Sequence, residues 1–438
     1  MNNDDLLRRS LQAVWHPCTQ MKSHETLPLV PIQRGEGVWL YDMDGKRYLD
    51  GVSSWWVNLF GHNNPRIKDA IKAQLDQLEH VILAGFTHEP VVQLSEKLSA
   101  LTGLGHAFYA SDGASAVEIA LKMSFHYWRN TDTSSEGSRK TSFISLQNSY
   151  HGETLGALAV TDVAIFRDTY APLLQQSAQM PSPDWRLAAP GESPHDYAMR
   201  CADALDAYLE IHHHQVAAFI IEPLVQCAAG MGMYDAVYLK RAREICSRYH
   251  VHLIADEIAV GFGRTGSMFA TQQADITPDF ICLSKGITGG YLPLSVTLTT
   301  DTIYQAFYDD STARGFLHSH SYTGNALACS AALATLAIFE QDDVLQANRQ
   351  KTAHMNEQLK LLGDLPVKNV RNTGMIWAFE AVSSAPDFQQ RFYQAALQRG
   401  LILRPIGNTV YFMPQYVISE QEMDMLVQET AHILAGLA

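Results

Sequence analysis

Between residues 106 and 299 the chain keeps returning to short, nearly unbroken apolar runs: HAFYA (106–110), TSFISL (141–146), VAAFIIE (216–222), VHLIAD (251–256), FICLS (280–284) and LSVTLT (294–299). A strand with one wet face alternates apolar and polar residues, whereas a strand that is apolar throughout is covered on both faces. Stretches with helical spacing separate these runs. The pattern predicts a parallel sheet sandwiched between helices, an α/β fold. The flanks read differently. GVWLYDMDGKRYLDG (37–51) is a hairpin pattern turning at Asp44-Gly45. VRNTGMIWAFE (370–380), LILRPIGNTVYFMPQY (401–416) and a closing helix from about Glu420 suggest a smaller α+β domain. At 438 residues the chain is too long for one simple core. The expected division is residues 1–60 as an N-terminal segment joining the small domain, 61–335 as the large domain and 336–438 as the C-terminal small domain. TDTSSEGSR (131–139) reads as a surface loop, and the Pro-rich stretch 177–196 as a long irregular connection.

Composition excludes several function classes. Thirty-two Lys and Arg stand against 46 Asp and Glu, a net charge of −14, opposite to the bias of nucleic-acid or anionic-membrane binders. MNNDDLLRRS has no apolar core and does not read as a secretory signal. VAAFIIEPLVQCAAG and ALACSAALATLAIF (326–339) are too short to span a bilayer; the second reads as a buried helix. The six cysteines are scattered without a CxxC pair, which argues against a disulfide framework or zinc ribbon and fits a reducing cytoplasm. His212–His214 reads as a solvated tract, since three adjacent histidines converge poorly on a metal.

FICLSKGITGG (280–290) places Lys285 at the mouth of a core strand, where an amine is seldom found unless paired or chemically employed. Asp256 ends the preceding strand, 29 residues earlier, about one strand–helix–strand unit. Ligands of such sheets sit at the carboxyl ends of the strands. FYASDGASAVEIALKM is a strand, a tight polar turn and a helix start, whose free amides around Gly113 and Ala114 suit a phosphate. NSYHGETLGAL puts Tyr150 on another strand-edge loop. GFGRTG (261–266) follows the acid and precedes no convincing helix, so a dinucleotide fingerprint is not indicated. Each piece alone has an ordinary explanation: a loop lysine, an N-cap, a core tyrosine. Together they ask for a ligand with a phosphate, a ring that needs an anion, a ring that needs a stacking aromatic and a carbonyl that condenses with lysine. Pyridoxal 5'-phosphate meets all four demands.

ADEIAVGFGRTG (255–266), SKGITGG (284–290), DGASAVEIALKM and YHGETLGA resemble the class III, fold-type-I PLP-dependent aminotransferases. The resemblance covers almost the whole chain. It implies a large domain with a mostly parallel central sheet covered by helices, plus a smaller α+β domain. WHPCTQM (15–21), DGVSSWWVNLFGH (50–62), YDDSTARGFLHSHSYTGNALAC (308–329) and LRPIGNTVYFMPQY (403–416) are similar to the branch of that family that serves biotin biosynthesis. This implies transamination of 8-amino-7-oxononanoate to 7,8-diaminononanoate, with S-adenosylmethionine as amino donor, in a cytoplasmic homodimer with shared active sites. Residue by residue, the resemblance implies that Lys285 holds the cofactor aldehyde and moves protons. Asp256 pairs with the pyridine nitrogen, Tyr150 stacks on the ring, and Gly113 and Ala114 give amides to the phosphate. Ser321 reaches the phosphate of the neighbouring subunit. Trp55, Trp56 and Cys18 line the substrate pocket; Arg404, with Tyr411 nearby, takes the distal carboxylate, and Arg264 tunes the same region. Four positions depart from the family pattern: Cys18 for a tyrosine, Ala114 for a serine, Glu153 for an aspartate and Ser321 for a threonine. Cys18 leaves lysine open as the donor. Other readings are an ω-amino acid aminotransferase of the same class, an aminomutase, and a catalytically silent protein of the same fold.

Overall fold

The computed structural model describes residues 2–27, 29–132, 139–175 and 177–437. The chain forms two compact units, Arg66–Gln346 and the combination of Met1–Pro65 with Ala347–Ala438.

The larger unit is built on a seven-stranded sheet: β1 (His106–Ala110), β2 (Ser142–Leu146), β3 (Ala178–Met180), β4 (Val216–Ile221), β5 (His252–Asp256), β6 (Phe280–Leu283) and β7 (Ser295–Thr299). Their order across the sheet is β1-β7-β6-β5-β4-β2-β3. β3, β2, β4, β5 and β6 pair in parallel, with Asp256 opposite Cys282. β7 runs antiparallel to both β6 and β1, so the sheet is mostly parallel, as the resemblance implied. The cause of the reversal is the connection. Residues 284–294 hold one short 3-10 turn rather than a helix, and a parallel crossover needs a dozen or more residues. β3 is a three-residue edge strand within the stretch read as irregular, too short to show a period and ended by Pro181. The expected surface loop at 131–139 lies largely outside the described residues.

One helix fixes the geometry of the site. α1 (Gly113–Thr131) starts because Asp112 caps it: its carboxylate accepts from the Ser115 amide at 2.9 Å and the Ser115 hydroxyl at 2.7 Å. Ala116, Val117, Ile119 and Ala120 then form a buried stripe against Ile220, Ile254, Phe280 and Cys282 of the sheet. Ile119 is 0 % exposed; such burial stabilises by about 1.5–3 kcal/mol per aliphatic side chain. The helix cannot slide without breaking this packing.

The smaller unit holds an antiparallel meander, Ile32–Glu36, Trp39–Asp42 and Arg47–Asp50, turning at Asp44-Gly45 with Gly45 at φ +89°. Leu401–Ile402 extends it in parallel, Ile402 opposite Asp50. A second sheet contains Val367–Thr373, Ile376–Ala381 and Thr409–Phe412. Trp377, Phe379, Phe392 and Phe412 fill its core, and helices Phe388–Gln398 and Glu420–Leu437 complete the unit. No helix among the described residues is long and apolar enough to cross a membrane.

Candidate active site

In the large unit the candidate residues come from the carboxyl-terminal edge of the sheet. Asp256 is the last residue of β5, Lys285 lies two residues past β6, Glu222 one past β4, Tyr150 four past β2 and Gly113 three past β1. Because β7 is antiparallel to β1 and β6 alike, those two strands end at the same edge. Lys285 has φ +43°, in the left-handed region that a lysine rarely adopts, which marks a constrained position.

Buried acids and amides surround the lysine. Asp256 is 5 % exposed. His151 Nδ1 donates to its Oδ2 at 2.7 Å, and the Ile258 amide donates to its Oδ1 at 3.2 Å. An ionised carboxylate only accepts, so the shared proton is assigned to His151. Glu222 accepts from the Tyr150 amide at 3.0 Å and from the Cys227 amide at 3.2 Å. It thereby ties the tyrosine loop to the end of β4. Burial pushes the Glu222 carboxyl up to about 7, while His151 and these amides pull it back. Burial also holds the Lys285 ammonium below its ordinary value, opposed by Cys227, Asp256 and Glu222. A lysine biased toward its neutral amine is a nucleophile and a base. The Tyr150 hydroxyl donates to Glu153 at 2.9 Å. Glycine is required at 152: φ is +124°, and a Cβ would lie 2.6 Å from Ala114 Cβ.

These residues fit PLP. The His151 side chain is fully buried, and its Nε2 has no hydrogen-bond partner among the described residues, a polar atom left open beside Asp256. The Gly113 and Ala114 amides open α1, with no helical carbonyl one turn behind them, so they can hold a phosphate. A Cβ at Gly113 would sit 3.0 Å from Ile258 Cδ1, so the close backbone approach depends on glycine.

In the small unit the structure brings together Trp55, Trp56, Arg404 and Tyr411. Ser53, Ser54, Trp55 and Trp56 have φ of +50°, +47°, +71° and +73°, four consecutive non-glycine residues in left-handed geometry. Such geometry costs roughly 1–2 kcal/mol per residue, so other contacts must hold it. The Ser53 hydroxyl donates to the Met413 carbonyl at 2.7 Å and the exposed Ser54 hydroxyl to Asp50 Oδ2 at 2.7 Å. The turn splits the two indoles. Trp56 is 5 % exposed and its Nε1–H donates to the Tyr411 hydroxyl at 3.1 Å. Trp55 is 44 % exposed, with the Arg404 guanidinium 5.0 Å from its ring centroid. Arg404 is itself exposed and has no carboxylate partner among the described residues. A flat cation resting on a flat ring, with its fork unpaired, is suited to a carboxylate ligand.

Three candidates remain, of which Arg264 shares Cys227 as an electrostatic neighbour with Lys285, Asp256 and Glu222. Arg264 belongs to the large unit and is buried at 1 % exposure. Ser321 lies in an exposed turn of that unit, its carbonyl accepting from His80 Nε2 at 2.9 Å. Cys18 sits in an exposed turn of the small unit at φ +51°. Sequence reasoning passed over Glu222 and Asp50 as site residues. An acid directly after an apolar core strand was an available signal for Glu222. No local signal marked Asp50.

The family model for aminotransferase class-III matches residues 20–434. The chain is 46 % identical to the adenosylmethionine-8-amino-7-oxononanoate aminotransferase of Helicobacter pylori, covering 99 % of this chain and 98 % of that one. It is 42 % identical to the enzyme of the same name from Geobacter sulfurreducens, over 97 % and 96 % of the two chains. Among solved structures, the adenosylmethionine-8-amino-7-oxononanoate aminotransferase of Methanocaldococcus jannaschii superposes with TM-score 0.92 at 36 % identity, covering 99 % of both chains. The omega transaminase of Pseudomonas jessenii in complex with PMP gives TM-score 0.92 at 28 % identity over 98 % of both chains. Matches of this extent, on a chain that sets a lysine and an acid at adjacent parallel strand ends, have one meaning: the chain belongs to the class-III aminotransferases.

Proposed function

We propose that this protein moves an amino group from S-adenosylmethionine to 8-amino-7-oxononanoate, giving 7,8-diaminononanoate for biotin biosynthesis. The single observation that carries the substrate reading is the small-unit cluster in which Arg404, without a carboxylate partner among the described residues, lies over Trp55 beside Trp56 and Tyr411. The named relatives support the same substrate.

Bound PLP supplies an aldehyde that takes up the amine and a protonated ring that withdraws electrons from the reacting carbon. The protein's own residues do the rest. Lys285 would anchor the aldehyde; once the substrate's amine displaces it, its own amine, biased toward the neutral form, would serve as base and then as acid, taking up and delivering a proton within each half-reaction. Asp256 stabilises positive charge at the ring nitrogen, and His151 keeps its carboxylate aimed. Tyr150 stacks on the ring, held through its amide by Glu222. Gly113 and Ala114 hold the phosphate with their amides. In the small unit, Arg404 takes the distal carboxylate, with Tyr411 nearby, and the indoles of Trp55 and Trp56 line the aliphatic chain. Arg264 tunes substrate recognition. We further infer a cytoplasmic homodimer in which Ser321 reaches the partner's phosphate site; its exposed turn supports this. Cys18, a thiol where related enzymes carry a tyrosine, favours a second reading for the donor half alone, with lysine in place of S-adenosylmethionine.

The test is direct. Purified protein, PLP and 8-amino-7-oxononanoate are mixed with either S-adenosylmethionine or lysine, and the diamine is sought by mass spectrometry. Diamine with S-adenosylmethionine is the expected result. Diamine with lysine alone moves the donor, and no diamine with either removes the reading.

A further inference from the structure

We infer that Asp50 is a positioning residue for recognition of the keto substrate: its buried carboxylate locks the left-handed turn Ser53–Trp56 and so sets where Trp55 stands. The inference rests on the reading of Trp55 and Arg404 as substrate contacts.

Asp50 is 0 % exposed and pairs with no Lys or Arg among the described residues. A buried carboxylate without a full cation is stable only if several donors surround it. Asp50 has four. The Ser54 hydroxyl donates to Oδ2 at 2.7 Å, Gln415 Nε2 at 3.1 Å and His62 Nε2 at 3.1 Å, while the Val52 amide donates to Oδ1 at 3.3 Å. With His62 Nε2 as the donor to Asp50, its Nδ1 can accept from Asn58 Nδ2 at 3.4 Å. These donors come from the residue before the turn, from the turn itself, from the segment that follows it, and from the strand exit at 413–415 that also receives the Ser53 hydroxyl. One carboxylate therefore ties together both ends of the turn and its support.

The turn is singular in this chain. Among the described residues no other two non-glycine positions with positive φ are adjacent, whereas here four are consecutive. Glycines would adopt this geometry without strain, but they would lack the two hydroxyls that hold the turn and the two rings it displays. Strain of this kind persists where the surroundings over-determine it. Asp50 also pairs in register with Ile402, two residues before Arg404. It thus sits at the root of both the loop that carries Trp55 and the segment that carries the guanidinium over its ring.

Asp50→Asn keeps the volume but replaces one acceptor oxygen by a donor. Ser54→Ala removes one of the bonds from an exposed residue. Two measurements are made on each variant: acrylamide quenching of Trp55 in the protein without PLP, taken as the difference from the matching Trp55→Phe chain, and the KM and kcat for 8-amino-7-oxononanoate in the loaded enzyme. For Asp50→Asn, Trp55 quenching rises, KM rises about tenfold and kcat stays within about twofold, the scale of one charged hydrogen bond. Ser54→Ala has a smaller effect in the same direction and adds nothing to Asp50→Asn, as expected of one shared network. A folded Asp50→Asn protein with wild-type quenching, or with unchanged KM, overturns the inference. So does a fall in kcat that matches the rise in KM. If Asp50→Asn does not fold, Ser54→Ala with wild-type quenching and KM overturns it equally. Failure of the wild type to make the diamine removes the substrate reading, while the quenching comparison still decides whether Asp50 holds the turn.

Discussion

The strand-end row of the large unit and the tryptophan turn of the small unit reach precision by opposite means. Asp256 ends a paired strand, and Glu222 and Lys285 stand one and two residues past the ends of two others, so ladder hydrogen bonds fix their places. Trp55 and Trp56 stand on a strained turn that side-chain bonds hold. Removing a group from the row should change chemistry and leave geometry. Removing a bond from the turn should change geometry and leave chemistry. Substrate preference can therefore vary in the second region while the reaction persists in the first.

Five measurements test this contrast. Lys285→Ala should lower turnover by at least about 10³-fold, leave the circular dichroism spectrum unchanged and leave PLP removable by dialysis. Asp256→Asn should lower it by about 10²-fold at unchanged KM for the oxo substrate; a dominant KM effect would contradict its place in the row. Arg404→Lys should raise that KM about tenfold with kcat nearly constant, because a point charge cannot copy the planar fork. Gly152→Ala should destabilise the protein by about 1–3 kcal/mol, seen as a lower Tm. Part of that loss should return with Ala114→Gly, which vacates the atom 2.6 Å away. The smallest effect is on pH. With the Glu222 carboxyl raised from 4.5 to about 7, the folded protein holds a proton that the unfolded chain releases. This group's contribution to stability is fully present below pH 4.5 and is lost as pH rises toward 7. Thermal unfolding of the protein without PLP should show that slope, and Glu222→Gln should flatten it.

Most of the large sheet was legible in the chain, because strands covered on both faces are apolar throughout and need no knowledge of their neighbours. β5 and β6 end where the runs around Asp256 and Lys285 predict. Direction was not legible in the run itself: β7, Ser295–Thr299, is buried throughout, as β6 is, and its antiparallel sense follows from the length of the connection before it. The tandem tryptophans stood out in the sequence, but their left-handed backbone did not, since neither serine nor tryptophan signals positive φ. Asp50 was invisible for a plainer reason. One of its donors, Gln415, is 365 residues away. Glu222 looked like a mere interruption of an apolar stretch until its two amide partners placed it beside Tyr150.

The sheet order has a further consequence. Neighbouring strands stand about 4.8 Å apart, so Gly113, Lys285, Asp256, Glu222 and Tyr150 are teeth of one comb, in that sequence from β1 across to β2, with a double gap between the first two where β7 intervenes. Its pitch belongs to the backbone and no side-chain replacement can alter it. Descendants of this chain can lengthen, shorten or recharge a tooth, but the span offered to a bound ring is inherited unchanged.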